Sequence, residues 1–134
     1  MTCDVLLLDD DELVLDMMVQ ALDDAGYTVQ MTENAAAALE YLEGSEPCQV
    51  VLTDINLGEP LNGFAVIERA RIVRPDMKVI YYSGLPSNWH GRSLGPQERR
   101  LNKPFRFEEL LQALEELKAW PSSPPTLGRA RTSF

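Results

Sequence analysis

Four apolar stretches of this chain each end on a polar residue of a different kind, and that repetition restricts the possible folds more than any other feature. The acidic run Asp9, Asp10, Asp11, Glu12 closes the first, Asp54 the second, Ser83 the third and Lys103-Pro104 the fourth. Buried strands that end in polar groups fit an open parallel α/β sheet, whose strands present their carboxyl ends along one shared edge where ligands bind. Carboxylates, a hydroxyl and an ammonium would gather there. That set suits a divalent cation and a phosphoryl group.

The intervening segments alternate between strand and helix periods, the βαβ rhythm of a parallel sheet. Val5 to Asp9 reads as a buried strand. Val14, Met17, Met18, Ala21, Leu22 and Ala25 then recur at three-and-four spacing, an amphipathic helix that stops at Gly26 and counts both methionines as core. Tyr27 to Met31 alternates as a short strand, Ala35 to Glu43 reads as a second helix ending at Gly44, and Gln49 to Thr53 is β-branched enough for a central strand. A turn-rich stretch from Asn56 to Gly63 precedes a third helix, Phe64 to Val73. Met77 to Tyr82 reads as a fourth strand and Leu101-Asn102 as part of a short fifth. Phe107, Leu110, Leu111, Leu114 and Leu117 stripe a last helix, with Glu108 and Glu109 in its first turn, where the dipole favours them.

Pro86, Gly91, Gly95 and Pro96 interrupt the segment Gly84 to Arg100, which has room for one or two helical turns. Residues 121–134, opening Pro121-Ser122-Ser123-Pro124-Pro125, lack periodicity and read as a flexible tail or linker remnant.

At 134 residues with 45% hydrophobic side chains, the chain suits one soluble domain with a real core. Its longest apolar runs fall far short of the roughly 20 residues of a membrane span, and no leader pattern precedes them, so a cytoplasmic protein without membrane contact is expected. The net charge of −9 includes Arg129 and Arg131; without those two, 10 basic side chains face 21 acidic ones. Nucleic-acid binding through phosphates needs a basic face, and this balance argues against it. Cys3 and Cys48 each lie six residues before an aspartate, Asp9 and Asp54, and are level if those aspartates are. Strands about 4.8 Å apart would put them within disulfide reach, but a cytosolic setting favours two reduced, structural thiols.

Several acids at one strand edge repel each other unless a cation lies among them. Asp9, Asp10 and Asp54 form such a set, and Mg²⁺, which takes oxygen ligands and retains waters, is the natural counter-ion. Asp11 and Glu12 are explained more simply as acids in a helix first turn. His90, in the interrupted segment, reads as a surface residue, whereas Trp89 and Trp120 fit either edge packing or partner contacts.

In this order and at these intervals the residues resemble the receiver domain of two-component response regulators, from residue 3 to about 120. The family opens with a strand and an acidic pair, here VLLLDDDEL; its phosphate-accepting aspartate ends the third strand, here VVLTDINLG. Its hydroxyl residue ends the fourth, here VIYYSG, and its Lys-Pro follows the fifth, here LNKPF.

The resemblance implies a flavodoxin-like, doubly wound, five-stranded parallel sheet of order 2-1-3-4-5 over residues 1–120, with a shortened or irregular fourth helix. It implies Asp54 as phosphoacceptor, phosphorylated by a histidine kinase or phosphotransfer protein. Mg²⁺ would be held by Asp10 and Asp54 side chains, the Asn56 backbone carbonyl, and Asp9 directly or through a water. Lys103 would pair with Asp54 and then with the phosphoryl oxygens, Ser83 would donate its hydroxyl to them, and the Lys103-Pro104 peptide would be cis.

The chain departs from the family at Arg100, which stands where an aromatic side chain usually follows the hydroxyl residue inward on phosphorylation. An arginine there would snorkel or pair with a partner's acid. The broken fourth-helix segment resembles receivers attached to hybrid kinases and some freestanding ones. It predicts a monomer acting on a downstream protein, with Gly84 to Arg100 mobile until phosphorylation or a partner orders it.

The expected function is therefore a phosphoacceptor with self-limiting hydrolysis, not a turnover enzyme. Two other readings are a receiver that docks without phosphate, and a phosphohydrolase of the haloacid-dehalogenase type. The second places its nucleophile on the first strand with another aspartate two residues on, a pattern Asp9 and Asp11 match superficially.

Overall fold

The computed structural model describes residues 3–44, 48–57, 62–89 and 91–119. Five strands, β1 (Cys3–Leu8), β2 (Val29–Thr32), β3 (Cys48–Asp54), β4 (Lys78–Ser83) and β5 (Glu98–Asn102), form one parallel sheet of order β2-β1-β3-β4-β5. Helices α1 (Glu12–Asp24), α2 (Ala35–Glu43), α3 (Gly63–Val73) and α4 (Phe107–Ala119) connect and flank it. Between β4 and β5 the only helical element among the described residues is a 3₁₀ turn, Pro86–Trp89. The expected topology and weakened fourth helix are both present.

Strand parity explains the layers. Leu6 and Leu8 of β1, Val51 of β3 and Val79 and Tyr81 of β4 pack with α2 and α3, whereas Val5, Leu7, Val50, Leu52, Ile80 and Tyr82 pack with α1 and α4. Both faces are covered, so the central strands are apolar without alternation. Each fully buried leucine of β1 contributes about 1.5–3 kcal/mol relative to exposure. A charge placed at Leu6 or Leu7 would have no water on either side.

Local signals set the helix ends. Asp11 caps α1 by accepting from the N–H groups of Leu13 and Val14 at 3.0 and 3.4 Å; Asn34 and Asn62 cap α2 and α3 in the same way. Such caps are worth about 1 kcal/mol each. At the far end of α1, Gly26 takes φ +94°, its N–H bonds Asp23 O, and Tyr27 N–H bonds Leu22 O. This is a Schellman stop, which glycine adopts without strain.

That stop accounts for one difference from the sequence reading. Tyr27 was expected to open β2, but the turn takes it out of the sheet; it is buried, donates its hydroxyl to Glu115 at 2.7 Å, and leaves β2 to start at Val29. A second correction concerns α1, whose inward line is Leu15, Met18 and Leu22. Met18 is core, but Met17 is 71% exposed, because the inward line of the helix is turned by roughly 60° from the centre of the expected stripe, keeping Met18 and Leu22 and replacing Met17 by Leu15. β5 is longer than its apolar signal, starting at Glu98, since its outward positions are polar.

Gly63 opens α3 against the end of β3. A Cβ there would meet the Asp54 carbonyl oxygen at 2.5 Å and Ile55 Cα at 3.1 Å. The Gly63 N–H bonds Ile55 O at 2.8 Å, so the helix start is locked to the residue after Asp54. Cys3 and Cys48 are register partners, and the Cys48 thiol donates to Val50 O at 3.2 Å. His90, Trp120 and the proposed tail 121–134 lie outside the described residues.

Candidate functional site

Sheet order reverses between β1 and β3, because the chain winds outward from that seam in both directions. Crevices at such switch points are where α/β sheets bind ligands. Leu8 pairs with Thr53, so the next residues, Asp9 and Asp54, are level across the seam; Asp54 in turn pairs with Tyr82 on β4. Asp9, Asp10 and Asp54 each present a carboxylate oxygen within 4.8 Å of the others.

The cluster is crowded and largely dry. Asp9 and Asp54 are buried, at 1% and 7% exposure, and Asp10 is exposed at the mouth. Asp54 Oδ2 accepts from Lys103 Nζ at 3.1 Å, and its Oδ1 from the Asn56 N–H at 3.1 Å. Asp9 Oδ1 accepts from the Asp11 N–H at 2.9 Å and its Oδ2 from the Tyr82 hydroxyl at 2.6 Å. Burial pushes the Asp9 carboxyl above its ordinary range, with Asp54 adding to the shift; the bonds from Tyr82 and Asp11 and the charge of Lys103 oppose it. Burial, then Asp9, likewise hold Tyr82 protonated and therefore a donor.

Three carboxylates, two of them buried, against one ammonium leave a local excess of negative charge. An all-oxygen donor set with one open side fits a hard cation such as Mg²⁺. Asp9, Asp10 and Asp54 supply the side chains, and residue 56 is folded onto Asp54 by its own amide.

Lys103 reaches the site from the end of β5, where its N–H bonds Ser83 O at 2.9 Å and the Lys103-Pro104 peptide is cis. Ser83 is 1% exposed, and its hydroxyl accepts from the Leu85 N–H at 3.0 Å. Asp11, which a haloacid-dehalogenase-type enzyme would need as its second acid, is spent on capping α1.

Among the described residues, several contacts join the segment between β4 and β5 to the rest of the domain. Trp89 is buried and packs edge-on to Phe64 at 6.2 Å; its indole N–H donates to Asn102 Oδ1 at 2.8 Å. The Arg92 guanidinium lies 3.7 Å from the Phe64 ring centroid, and Arg100 lies 5.3 Å from that of Trp89. Trp89 is thus packing, and Arg100 is an exposed residue stacked over it. Here the aromatic beside β5 comes from the turn after β4.

Two features escaped the sequence reading. Tyr82 reads as one more core residue of an apolar strand, and only the structure shows its hydroxyl on Asp9. An apolar groove of about 530 Å³ opens beside the acid cluster, lined among others by Met17, Met18, Lys103, Phe105 and Phe107 with Tyr82 in its wall.

The model of the response regulator receiver domain matches residues 5–115. The receiver protein CpdR of Brucella abortus is 33% identical over 115 residues, covering 84% of this chain and 94% of its own length. The sensor kinase CckA of the same organism is 32% identical over 118 residues, of which this chain spans only 12% of the kinase. A receiver protein structure from Sinorhizobium medicae superposes with a TM-score of 0.78 at 32% identity, covering 88% of this chain and 96% of the other. Fold, seam and acid cluster agree with these matches, and the chain belongs to the response regulator receiver domain family.

Proposed function

We propose that the chain is the phosphoacceptor of a two-component relay, phosphorylated on Asp54 in a Mg²⁺-dependent reaction by a histidine kinase or phosphotransfer protein. The observation that carries this reading is the setting of Asp54: buried at the seam, oriented by Lys103 and the Asn56 N–H, beside two further carboxylates. An Asp54 oxygen attacks the phosphorus of a phosphohistidine, an O–P bond forms, the P–N bond breaks, and its electron pair returns to the imidazole. Asp10, Asp54, the carbonyl of Asn56 and, directly or through a water, Asp9 would hold Mg²⁺, which would supply charge neutralisation to the transferring oxygens. Lys103 adds a second positive charge on the Asp54 side, and Ser83 offers its hydroxyl to the bound phosphoryl group. Later hydrolysis ends the signal, so the chain is a switch and not a turnover enzyme.

Its output is contact with another protein. Met17 is exposed on α1 where that helix lines the apolar groove, and Leu13 is exposed on the same helix, a surface suited to a protein partner and poor for nucleic acid. Among the described residues no helix is long and apolar enough to cross a membrane, in keeping with a cytoplasmic role. The broken segment before β5 supports a monomer.

The test is intact-protein mass after incubation with acetyl phosphate. One phosphoryl adduct that requires Mg²⁺ and disappears in Asp54→Asn is expected. An adduct that survives that substitution refutes Asp54 as acceptor, and no adduct with Mg²⁺ present would favour phosphate-independent docking.

A further inference from the structure

Tyr82 is 0% exposed, and its ring packs edge-on to Phe105 at 5.9 Å while Lys103 Nζ lies 4.9 Å from its centroid. An apolar side chain would fill that space as well, and burying a hydroxyl is costly unless it finds an acceptor. The acceptor is Asp9 Oδ2 at 2.6 Å, reached across the sheet from a residue 73 positions away. The other oxygen of Asp9 is held by the Asp11 N–H. One donor on each oxygen fixes the carboxylate plane, and because each oxygen has two lone pairs, one on each remains for a further partner.

We infer that Tyr82 is a positioning residue for the metal site: through Asp9 it raises the affinity of the acid cluster for Mg²⁺. The inference rests on the reading of that cluster as a Mg²⁺ site. A buried carboxylate already ordered loses no torsional freedom when a cation or its water arrives. Partners that orient metal-binding groups in this way are typically worth about 10–100-fold in affinity. The strand-pairing register explains why the position suffices, since Tyr82 is level with Asp54 and Asp54 with Asp9.

The experiment is a MgCl₂ titration followed by amide NMR shifts, on the natural chain, Tyr82→Phe, Asp9→Ala and the double variant. Tyr82→Phe keeps the ring and should bind Mg²⁺ about tenfold more weakly. With Asp9→Ala in place, Tyr82→Phe should change nothing further, because its effect passes through Asp9. Unchanged affinity in Tyr82→Phe, or the same loss in both backgrounds, overturns the inference and leaves the metal site standing. A natural chain that does not bind Mg²⁺ overturns both. If Tyr82→Phe does not fold, the natural chain still decides: a Tyr82 hydroxyl proton that stays protected from exchange at Mg²⁺ saturation supports the role, and its loss on saturation overturns it.

Discussion

The indole N–H of Trp89 donates to Asn102 Oδ1 at 2.8 Å, tying the turn after β4 to the residue immediately before Lys103. A single bond thus joins the segment that follows Ser83 to the strand end that delivers the site's ammonium. Trp89→Phe, which keeps an aromatic ring, should cost about 1 kcal/mol, and Asn102→Ala a similar amount. If the bond is the shared cause, the double variant should lose little more than either single one in urea titrations. Additive losses would show that the two residues act separately.

A cation bound at the acid cluster would share Asp54 with Lys103, whose Nζ lies 3.1 Å from Oδ2. Lys103→Met keeps much of the stem and removes the charge. At the mouth of the site an opposing charge is worth about 1 kcal/mol, so Mg²⁺ should bind about fivefold more tightly while adduct formation from acetyl phosphate slows. Weaker Mg²⁺ binding would contradict this assignment. The direction is opposite to that expected for Tyr82→Phe, so the two roles are separable.

Gly63→Ala forces the start of α3 away from Asp54, because the new methyl would meet backbone at 2.5 Å. A loss of about 1–3 kcal/mol is expected, the usual range for overpacking. Chemical-shift changes should centre on Asp54 to Asn56. Unaltered stability would mean that the seam has slack the packing does not suggest.

Burial alone would raise the Glu98 carboxyl, but the Gly95 N–H, Arg71 at 2.6 Å and the Tyr81 hydroxyl outweigh it and hold it below its ordinary value of 4.5. A depressed carboxylate stabilises the fold above the unfolded-state value, and that contribution is lost as pH falls through the folded-state value. Glu98→Gln should therefore destabilise the chain by about 1–2 kcal/mol at pH 7 and converge with the natural chain in acid. Thermal melts across that range would show convergence or its absence.

The acid cluster was legible because it depends on strand ends, and strand ends are marked by apolar runs stopping at Asp9 and Asp54. Lys103 followed for the same reason. Helix rotation was less legible: Met17 and Met18 are adjacent, both apolar, and only packing tells which faces inward. The Tyr82–Asp9 bond could not be read at all, since it joins residues 73 positions apart through a register that emerges only when β1, β3 and β4 are assembled. Arg100 announced that the usual aromatic was missing from its position, but the sequence did not say that Trp89 would pack beside β5 instead.

Tyr81 and Tyr82 are neighbours on β4 yet belong to opposite layers, Tyr81 against Phe64 at 4.7 Å and Tyr82 against Phe105. The end of β4 is thereby a crossbar set into two separate close-packed interiors. Such interiors yield little to small displacements. Movement of the backbone at Ser83 would press on Phe64 and Trp89 behind the sheet and on Phe105 in front of it at once, so one event at the strand tip is felt on both broad sides of the molecule.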